Sequence, residues 1–168
     1  LYALRDHTGT VESPNLICAS IMSKKLAESL NALVLDVKTG SGAFMRRYED
    51  ARHLAGLMVQ TGEASGTRTV ALLTNHDQPL GRFAGNWLEV QECVDILKPA
   101  ILRAGPDPAA RHPISADLIE LSNILAGWML HLAGHAPTPE AGALLANQYL
   151  TSGAAYQAWL GIVHAQGG

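Results

Sequence analysis

Hydrophobic and polar positions along the chain predict two short strands joined by a helix. The runs Ala32–Val37 and Thr69–Thr74 are largely apolar, which is typical of strands that are buried on both faces. Between them, residues 48–62 carry apolar side chains at helical spacing and end at a glycine. A strand, a helix and a second strand with short joints predict a βαβ unit, so the two strands should lie parallel and near each other.

Further helices are predicted on either side of this unit. One begins near Leu16, after a polar loop, and another covers Asn86–Leu97. Residues 99–113 are rich in proline and alanine, which predicts a connector. Three more helices are predicted beyond it: Ser115–Leu132, Pro139–Leu150 and Ala154–His164. The pattern therefore favours an α/β fold, with a parallel or mixed sheet flanked by helices.

The composition bounds the size and the class of the protein. A chain of 168 residues has room for one domain, or for one domain and a piece of another. The chain is 48% hydrophobic and only 16% charged, which is typical of a globular protein. The low fraction of charged residues also indicates that another chain or segment covers part of the surface. A net charge of −3 argues against a general nucleic-acid partner. We find no apolar run long enough to span a membrane and no signal peptide.

Cysteine, histidine and tryptophan add little chemistry to this picture. Cys18 and Cys93 are too few for a disulfide framework and are interpreted as free thiols of a cytosolic protein. His131 and His135 are four residues apart, but His135 falls at a frayed helix end, so a metal site is not favoured there. Three tryptophans fall at helical core positions and are interpreted as core residues: Trp87, Trp128 and Trp159.

A glycine-rich loop follows the first strand. It reads Lys38-Thr-Gly-Ser-Gly-Ala-Phe44 and lies beyond the carboxyl end of the strand, where open α/β sheets bind ligands. Its glycines would let backbone N–H groups approach an anion closely, but it matches neither the Walker A loop nor GxGxxG. A tight structural turn explains it equally well. Asp36 and Lys38 flank the strand end, and an ion pair is their simplest interpretation.

Three polar side chains near the start of the chain could converge on one planar ligand. Ser20 and Lys24 share a face of the helix that begins near Leu16, and Arg5 precedes the loop before it. Arginine and lysine could donate to the two carbonyl groups of a pyrimidine base, while a serine hydroxyl can donate or accept. Extension of Lys24 into solvent is the alternative. Three apolar residues would supply the walls for the ring: Val11, Ile17 and Ile21.

Six stretches carry a resemblance to a known family: Leu1–Asp6, Thr10–Val11, Ala19–Lys25, Leu35–Lys38, Gly40–Met45 and Asn86–Val90. They resemble the thymidine and pyrimidine-nucleoside phosphorylases, densely up to about Leu97 and diffusely from Pro99 onward. The resemblance implies a pentosyltransferase that catalyses reversible phosphorolysis of thymidine or uridine, giving the free base and a (deoxy)ribose 1-phosphate. It also implies phosphate as the co-substrate, no organic cofactor, a homodimer and a cytoplasmic location.

The resemblance also assigns roles to single residues. Arg5, Ser20 and Lys24 match the base-binding trio of the family, where donors stabilise the departing base anion more than the neutral ground state. Five residues match positions that line the base and the sugar: Tyr2, Val11, Ile17, Ile21 and Phe44. Three more fall where the family holds a potassium ion, two through backbone carbonyls and the last through its side chain: Leu80, Phe83 and Glu92. This last match is weaker, because Phe83 replaces a smaller residue.

The family fold implies a division of the chain. Residues 1–28 would belong to a small all-helical domain for base binding and dimerisation, and residues 29–168 to a large α/β domain that is helical over 115–168. The helix from Leu16 should then pack away from the sheet, across a cleft that Phe44 faces. The lysine–serine pair and the glycine-rich loop that hold phosphate in the family have no counterpart here, nor has its second α/β subdomain. We expect them on missing N- and C-terminal segments of the same enzyme, and expect the 168 residues alone to be inactive.

Two other functions stay open. The related phosphorylases that act on nucleotides such as AMP share the fold and much of the Ser-Lys-Lys region. A degenerate relative could also be retained as a binding module without catalysis. Preference for thymidine or uridine is not determined by these residues.

Overall fold

The computed structural model describes residues 2–99 and 115–168. The described chain forms two compact units, Leu1–Pro79 and Leu80–Gly168. The predicted domain boundary near residue 28 stays a prediction. The connector expected at 99–113 lies almost wholly outside the described residues.

The first unit holds the sheet. Its elements in chain order are α1 (Tyr2–His7), α2 (Pro14–Ala27), β1 (Ala32–Thr39), α3 (Tyr48–Ala64) and β2 (Arg68–Asn75). β1 and β2 pair in parallel, with Ala32 opposite Arg68 and Thr39 opposite Asn75. The predicted parallel βαβ unit is therefore confirmed.

One face of the sheet carries most of the core. Leu33, Leu35 and Val37 of β1 are buried and pack with α3, whereas Val34 on the opposite face is only half-buried. The expectation that both faces are buried is therefore wrong for the described residues, because α3 covers one face and the alternation of β1 leaves the other partly exposed.

Helix α2 joins the same core. Cys18 and Met22 lie one helical turn apart and belong to the buried cluster that contains Leu33 and Leu35. The helix packs directly on α3. Apolar burial of Cys18 and Met22 therefore draws the helix onto α3, and its segment Ile17–Ile21 lines one pocket with Phe44, as expected.

The second unit is helical in its described part. It contains α4 (Asn86–Leu97), α5 (Ala116–Leu132), α6 (Pro139–Ser152) and α7 (Ala154–Ala165), close to the predicted bounds. Helices α5 and α6 approach each other at Gly127, where an added Cβ would lie 2.5 Å from the backbone nitrogen of Ala143. Trp87 is 75% exposed, so its interpretation as a core residue is wrong. No helix within these described ranges is long and apolar enough to cross a membrane.

Candidate functional site

A pocket of about 310 Å³ opens in the first unit. We call it the Arg5–Ser20 pocket. Six of the residues that the sequence assigns to a ligand line it: Arg5, Val11, Ile17, Ser20, Ile21 and Phe44. Asp36 and Lys38 at the end of β1 line it as well. Residues that lie far apart in the sequence are thus brought together around one space large enough for a small ligand.

The two faces of α2 explain how the pocket forms. Ile17, Ser20 and Ile21 are spaced by three and four residues, so they share the face that lines the pocket. Cys18 and Met22 lie on the adjacent face and are buried in the core. Burial of the face that carries Cys18 and Met22 fixes the rotation of the helix, and this rotation directs the face that carries Ser20 towards the pocket.

Arg5 closes the loop between α1 and α2. Its Nη2 donates a hydrogen bond to the carbonyl oxygen of Val11, and its own carbonyl accepts one from the backbone N–H of Thr10 at 2.9 Å. The residue is only 8% exposed, and its Nε has no hydrogen-bond partner. Arg5 therefore holds the pocket wall in place while its Nε donor stays unused.

Ser20 is the second polar group with unused capacity. It is 4% exposed, and its Oγ has no hydrogen-bond partner. Within the described ranges, Arg5 Nε and Ser20 Oγ are the buried side-chain nitrogen and oxygen atoms left without a partner. Such groups cost about 1–3 kcal/mol each when buried unpaired, and nearly all buried polar groups in native proteins are satisfied. Two of them on one pocket indicate a ligand that supplies the missing partners.

The remaining assigned residues are placed less tightly. Lys24 is exposed on α2, one turn beyond Ser20, and is not among the residues that line the pocket. Phe44 is 74% exposed and lines the pocket. The side chain of Tyr2 lies outside the described part of the structure. The structure thus brings Arg5 and Ser20 together with the apolar walls around one pocket, which Phe44 shares, and their roles in binding a ligand stay predictions.

The glycine-rich loop is a structural turn. The backbone N–H groups of residues 40–43 all donate to protein acceptors, at distances of 2.8–3.2 Å. These acceptors are, in order, Arg46 O, Asp77 Oδ1, His76 O and Gly40 O. Of the two alternatives, the tight structural turn is favoured over an anion-binding loop, because the loop after β2 uses two of these amides and the turn itself uses the others.

Gly40 shows why this turn needs glycine. Its φ is +113°, and an added Cβ would lie 2.6 Å from Asp77 Oδ1. The hydrogen bond from the Ser41 backbone N–H to the Asp77 carboxylate is also the main cause that lowers the pKa of Asp77. The two loops at the carboxyl edge of the sheet are therefore joined to each other.

Asp36 and Lys38 form the expected ion pair, with Lys38 Nζ 2.7 Å from Asp36 Oδ2. Lys38 Nζ also donates to Thr74 Oγ1 at 3.0 Å, and the Thr74 hydroxyl donates to Asp36 Oδ1. Thr74 was not predicted from the sequence as a partner of this ion pair. The signal was the parallel pairing, which places Lys38 opposite Thr74 once the register is known.

The residues assigned to potassium lie in the second unit. Glu92 is buried, and its Oε1 accepts hydrogen bonds from the Arg82 backbone N–H at 2.9 Å and from the Ser115 hydroxyl. A Cβ on Gly81 would lie 2.7 Å from Glu92 Oε2, so the loop that contains Leu80 and Phe83 runs close to this carboxylate. The arrangement places a buried carboxylate beside a loop backbone, and the potassium site stays a prediction.

Comparison with known proteins shows the family of the chain. Residues 10–156 match the family model described as Glycosyl transferase family, a/b domain. Over its whole length the chain is 52% identical to a protein from Mycobacterium tuberculosis (strain H37Rv) named thymidine phosphorylase. It is 47% identical to a protein from Staphylococcus aureus (strain N315) named pyrimidine-nucleoside phosphorylase. The chain spans 35% and 36% of the lengths of these relatives. The chain therefore belongs to the glycosyl transferase family that is defined by this a/b domain.

Proposed function

We propose that the chain forms the nucleoside-binding part of an enzyme that phosphorolyses pyrimidine nucleosides. The observation that carries the proposal is the pair of buried, unpartnered atoms, Arg5 Nε and Ser20 Oγ, on one pocket. A pyrimidine base offers carbonyl acceptors and a ring N–H to such groups. The relatives named thymidine phosphorylase and pyrimidine-nucleoside phosphorylase support the same substrate class.

The pocket walls suit a flat ring. Val11, Ile17 and Ile21 supply apolar surface, and the exposed ring of Phe44 lies at the same pocket. A volume of about 310 Å³ is near the lower limit of small-molecule sites, which range over roughly 300–1,000 Å³. A base with its pentose matches this size better than a larger cofactor does.

The reaction that we propose uses the pocket to stabilise the leaving group. A phosphate oxygen forms a bond to C1′ while the bond between C1′ and the base nitrogen breaks. The bonding electron pair departs with the base, which becomes an anion and then takes up a proton. Arg5 and Ser20, with Lys24 from the next turn of α2, donate to the base carbonyls, where this negative charge collects. A donor of this kind is worth about 2.7–4 kcal/mol of barrier, by analogy with oxyanion holes.

Assembly, location and ion binding form part of the same proposal. Exposed Leu4 and Leu16 on α1 and α2 support a homodimer that pairs through these helices. Two free cysteines support a cytoplasmic location. Phosphate is the co-substrate, and a structural potassium ion near Glu92 is consistent with its buried carboxylate.

The experiment that tests the function uses the full-length gene product that contains these 168 residues. It is incubated with inorganic phosphate and thymidine, uridine or AMP, and the free base and the pentose 1-phosphate are measured. We expect turnover of thymidine or uridine. Turnover of AMP alone would instead support a relative of the nucleotide phosphorylases. Binding of the nucleosides without turnover, in a protein that is folded by circular dichroism, would support a non-catalytic binding module.

A further inference from the structure

A closed loop beside the Arg5–Ser20 pocket carries Phe44. It covers residues 40–46, and the backbone N–H of Gly40 closes it by donating to the carbonyl oxygen of Arg46 at 3.2 Å. We call it the 40–46 loop. Phe44 lines the pocket although it is 74% exposed. A residue so exposed has little packing of its own, so its place beside a ligand depends on what holds the loop.

The buried side chain of Met45 holds the loop on one side of Phe44. Met45 is 7% exposed and belongs to the hydrophobic core, together with Leu54 and Met58 of α3. It also lines the pocket. Burial of this apolar side chain fixes the backbone directly after Phe44.

The loop that follows β2 holds the other side. Asp77 Oδ1 accepts a hydrogen bond from the Ser41 backbone N–H at 2.8 Å, and the His76 carbonyl accepts one from the Gly42 backbone N–H at 3.0 Å. An added Cβ on Gly40 would lie 2.6 Å from the same carboxylate oxygen, so this glycine lets the carboxylate approach the loop closely. Asp77 is therefore a side chain from outside the 40–46 loop that is bonded directly to its backbone.

The hydrogen bond of Asp77 affects the loop more than the whole fold. Asp77 is exposed, and water competes for both partners of an exposed hydrogen bond, so its net contribution to the free energy of unfolding is small. A loop that is already ordered, however, loses less conformational entropy when a ligand binds against it. The bond from Ser41 to Asp77 thus favours binding at the residues that the loop carries.

We propose that Asp77 is a positioning residue, which holds the 40–46 loop so that Phe44 lies against a pyrimidine ring in the Arg5–Ser20 pocket. Asp77 does not line the pocket and acts through Phe44. Aromatic side chains bind bases by stacking, without a preference for one base. The inference rests on the proposed function and deepens it, because it assigns part of the affinity for the nucleoside to a residue outside the pocket.

The test measures thymidine and uridine binding by titration calorimetry, and steady-state phosphorolysis, on the full-length gene product. We expect Asp77→Ala to weaken binding and raise KM about fivefold each, as a loop that must be ordered on binding does. The value of kcat should stay near wild type, because Arg5 and Ser20 are unchanged. Asp77→Asn keeps an oxygen that accepts from Ser41 and should bind within about twofold of wild type. Gln78→Ala, which removes the exposed neighbouring side chain, is the control and should change none of these values.

A double variant distinguishes positioning of Phe44 from a general loosening of the protein. Phe44→Ala alone should weaken nucleoside binding about tenfold, which is usual for the loss of a stacked aromatic ring. If Asp77 acts through Phe44, the double variant Asp77→Ala/Phe44→Ala should bind within about twofold of Phe44→Ala. A further loss of about fivefold in the double variant would show that the two residues act independently, and would overturn the inference.

The outcomes separate this inference from the function on which it rests. Wild-type protein that binds neither thymidine nor uridine overturns the proposed function and the inference together. Normal wild-type binding that is unchanged in folded Asp77→Ala overturns the inference alone, since the backbone hydrogen bonds then suffice to place Phe44. If thermal denaturation shows that Asp77→Ala is unfolded, Asp77→Leu decides by the same measurements, because it keeps the approximate shape of the side chain without an acceptor.

Discussion

Replacement of Ser20 by alanine should stabilise the protein and impair its function at the same time. The hydroxyl of Ser20 is buried without a partner, so the folded protein has lost hydration there without gaining a hydrogen bond. Alanine removes this penalty and is also the better helix former. The same hydroxyl is a proposed donor to the base, so its loss should reduce the stabilisation of the transition state.

The magnitudes follow from the environment of the side chain. An unpaired buried hydroxyl costs about 1–3 kcal/mol, and the helix propensity of alanine adds roughly 0.5 kcal/mol. The free energy of unfolding of Ser20→Ala should therefore rise by about 1 kcal/mol or more. A hydrogen bond to a charged group contributes about 1.5–3 kcal/mol, which corresponds to a fall in kcat/KM of roughly 10- to 150-fold.

Urea denaturation without ligand and steady-state phosphorolysis measure the two effects on the full-length gene product. Ser23→Ala is the matched control, because Ser23 is exposed one turn along the same helix and bonds only weakly, at 3.4 Å, to the Ser20 carbonyl. It carries the same gain in helix propensity without the buried hydroxyl. If Ser20→Ala is less stable than Ser23→Ala and keeps wild-type kcat/KM, the hydroxyl is structural and the reasoning is refuted.

Three further predictions concern Lys24, the glycine-rich turn and the chain by itself. Lys24→Ala should lower kcat/KM roughly 10²- to 10³-fold. Because the side chain is exposed, the free energy of unfolding should stay within about 0.5 kcal/mol of wild type. A near-native kcat/KM would remove Lys24 from the site. Gly40→Ala should lower the free energy of unfolding by about 1–3 kcal/mol more than the control Gly66→Ala does, since both glycines have positive φ but only Gly40 faces Asp77. Equal urea midpoints of the two variants would contradict this. The 168 residues alone should give no detectable pentose 1-phosphate, because the loop amides are already bonded and Lys38 is paired; robust activity would show that the phosphate site has been misplaced.

The local elements of the fold were predictable because their signals are local. Apolar runs, helical spacing and flanking glycines indicated both described strands and the described helices from α2 onward. Burial was harder to predict. Trp87 occupies an apolar helical position, but periodicity does not say what an apolar face packs against, and this one is exposed here. Helix α2 has two apolar faces, and only the packing of Cys18 on α3 shows which one belongs to the core.

The site was predictable where its side chains share one helix, and less so where the partners of a residue lie far away in the sequence. Ser20 and Ile17 were found from helical spacing, and the family resemblance added Arg5. The bonded state of the glycine-rich turn could not be predicted, because Ser41 donates to Asp77, 36 residues away. Thr74 was missed for the same reason, since the register of a parallel pair is set by tertiary packing and not by a tight turn.

The most direct test of the account is a crystal structure of the full-length gene product with thymine or uracil bound. The account predicts the base in the Arg5–Ser20 pocket, with base atoms within about 2.7–3.2 Å of the Arg5 guanidinium and the Ser20 hydroxyl. The ring should contact Ile17 and Ile21. A base bound at another site, with Arg5 Nε and Ser20 Oγ still without partners, would contradict it.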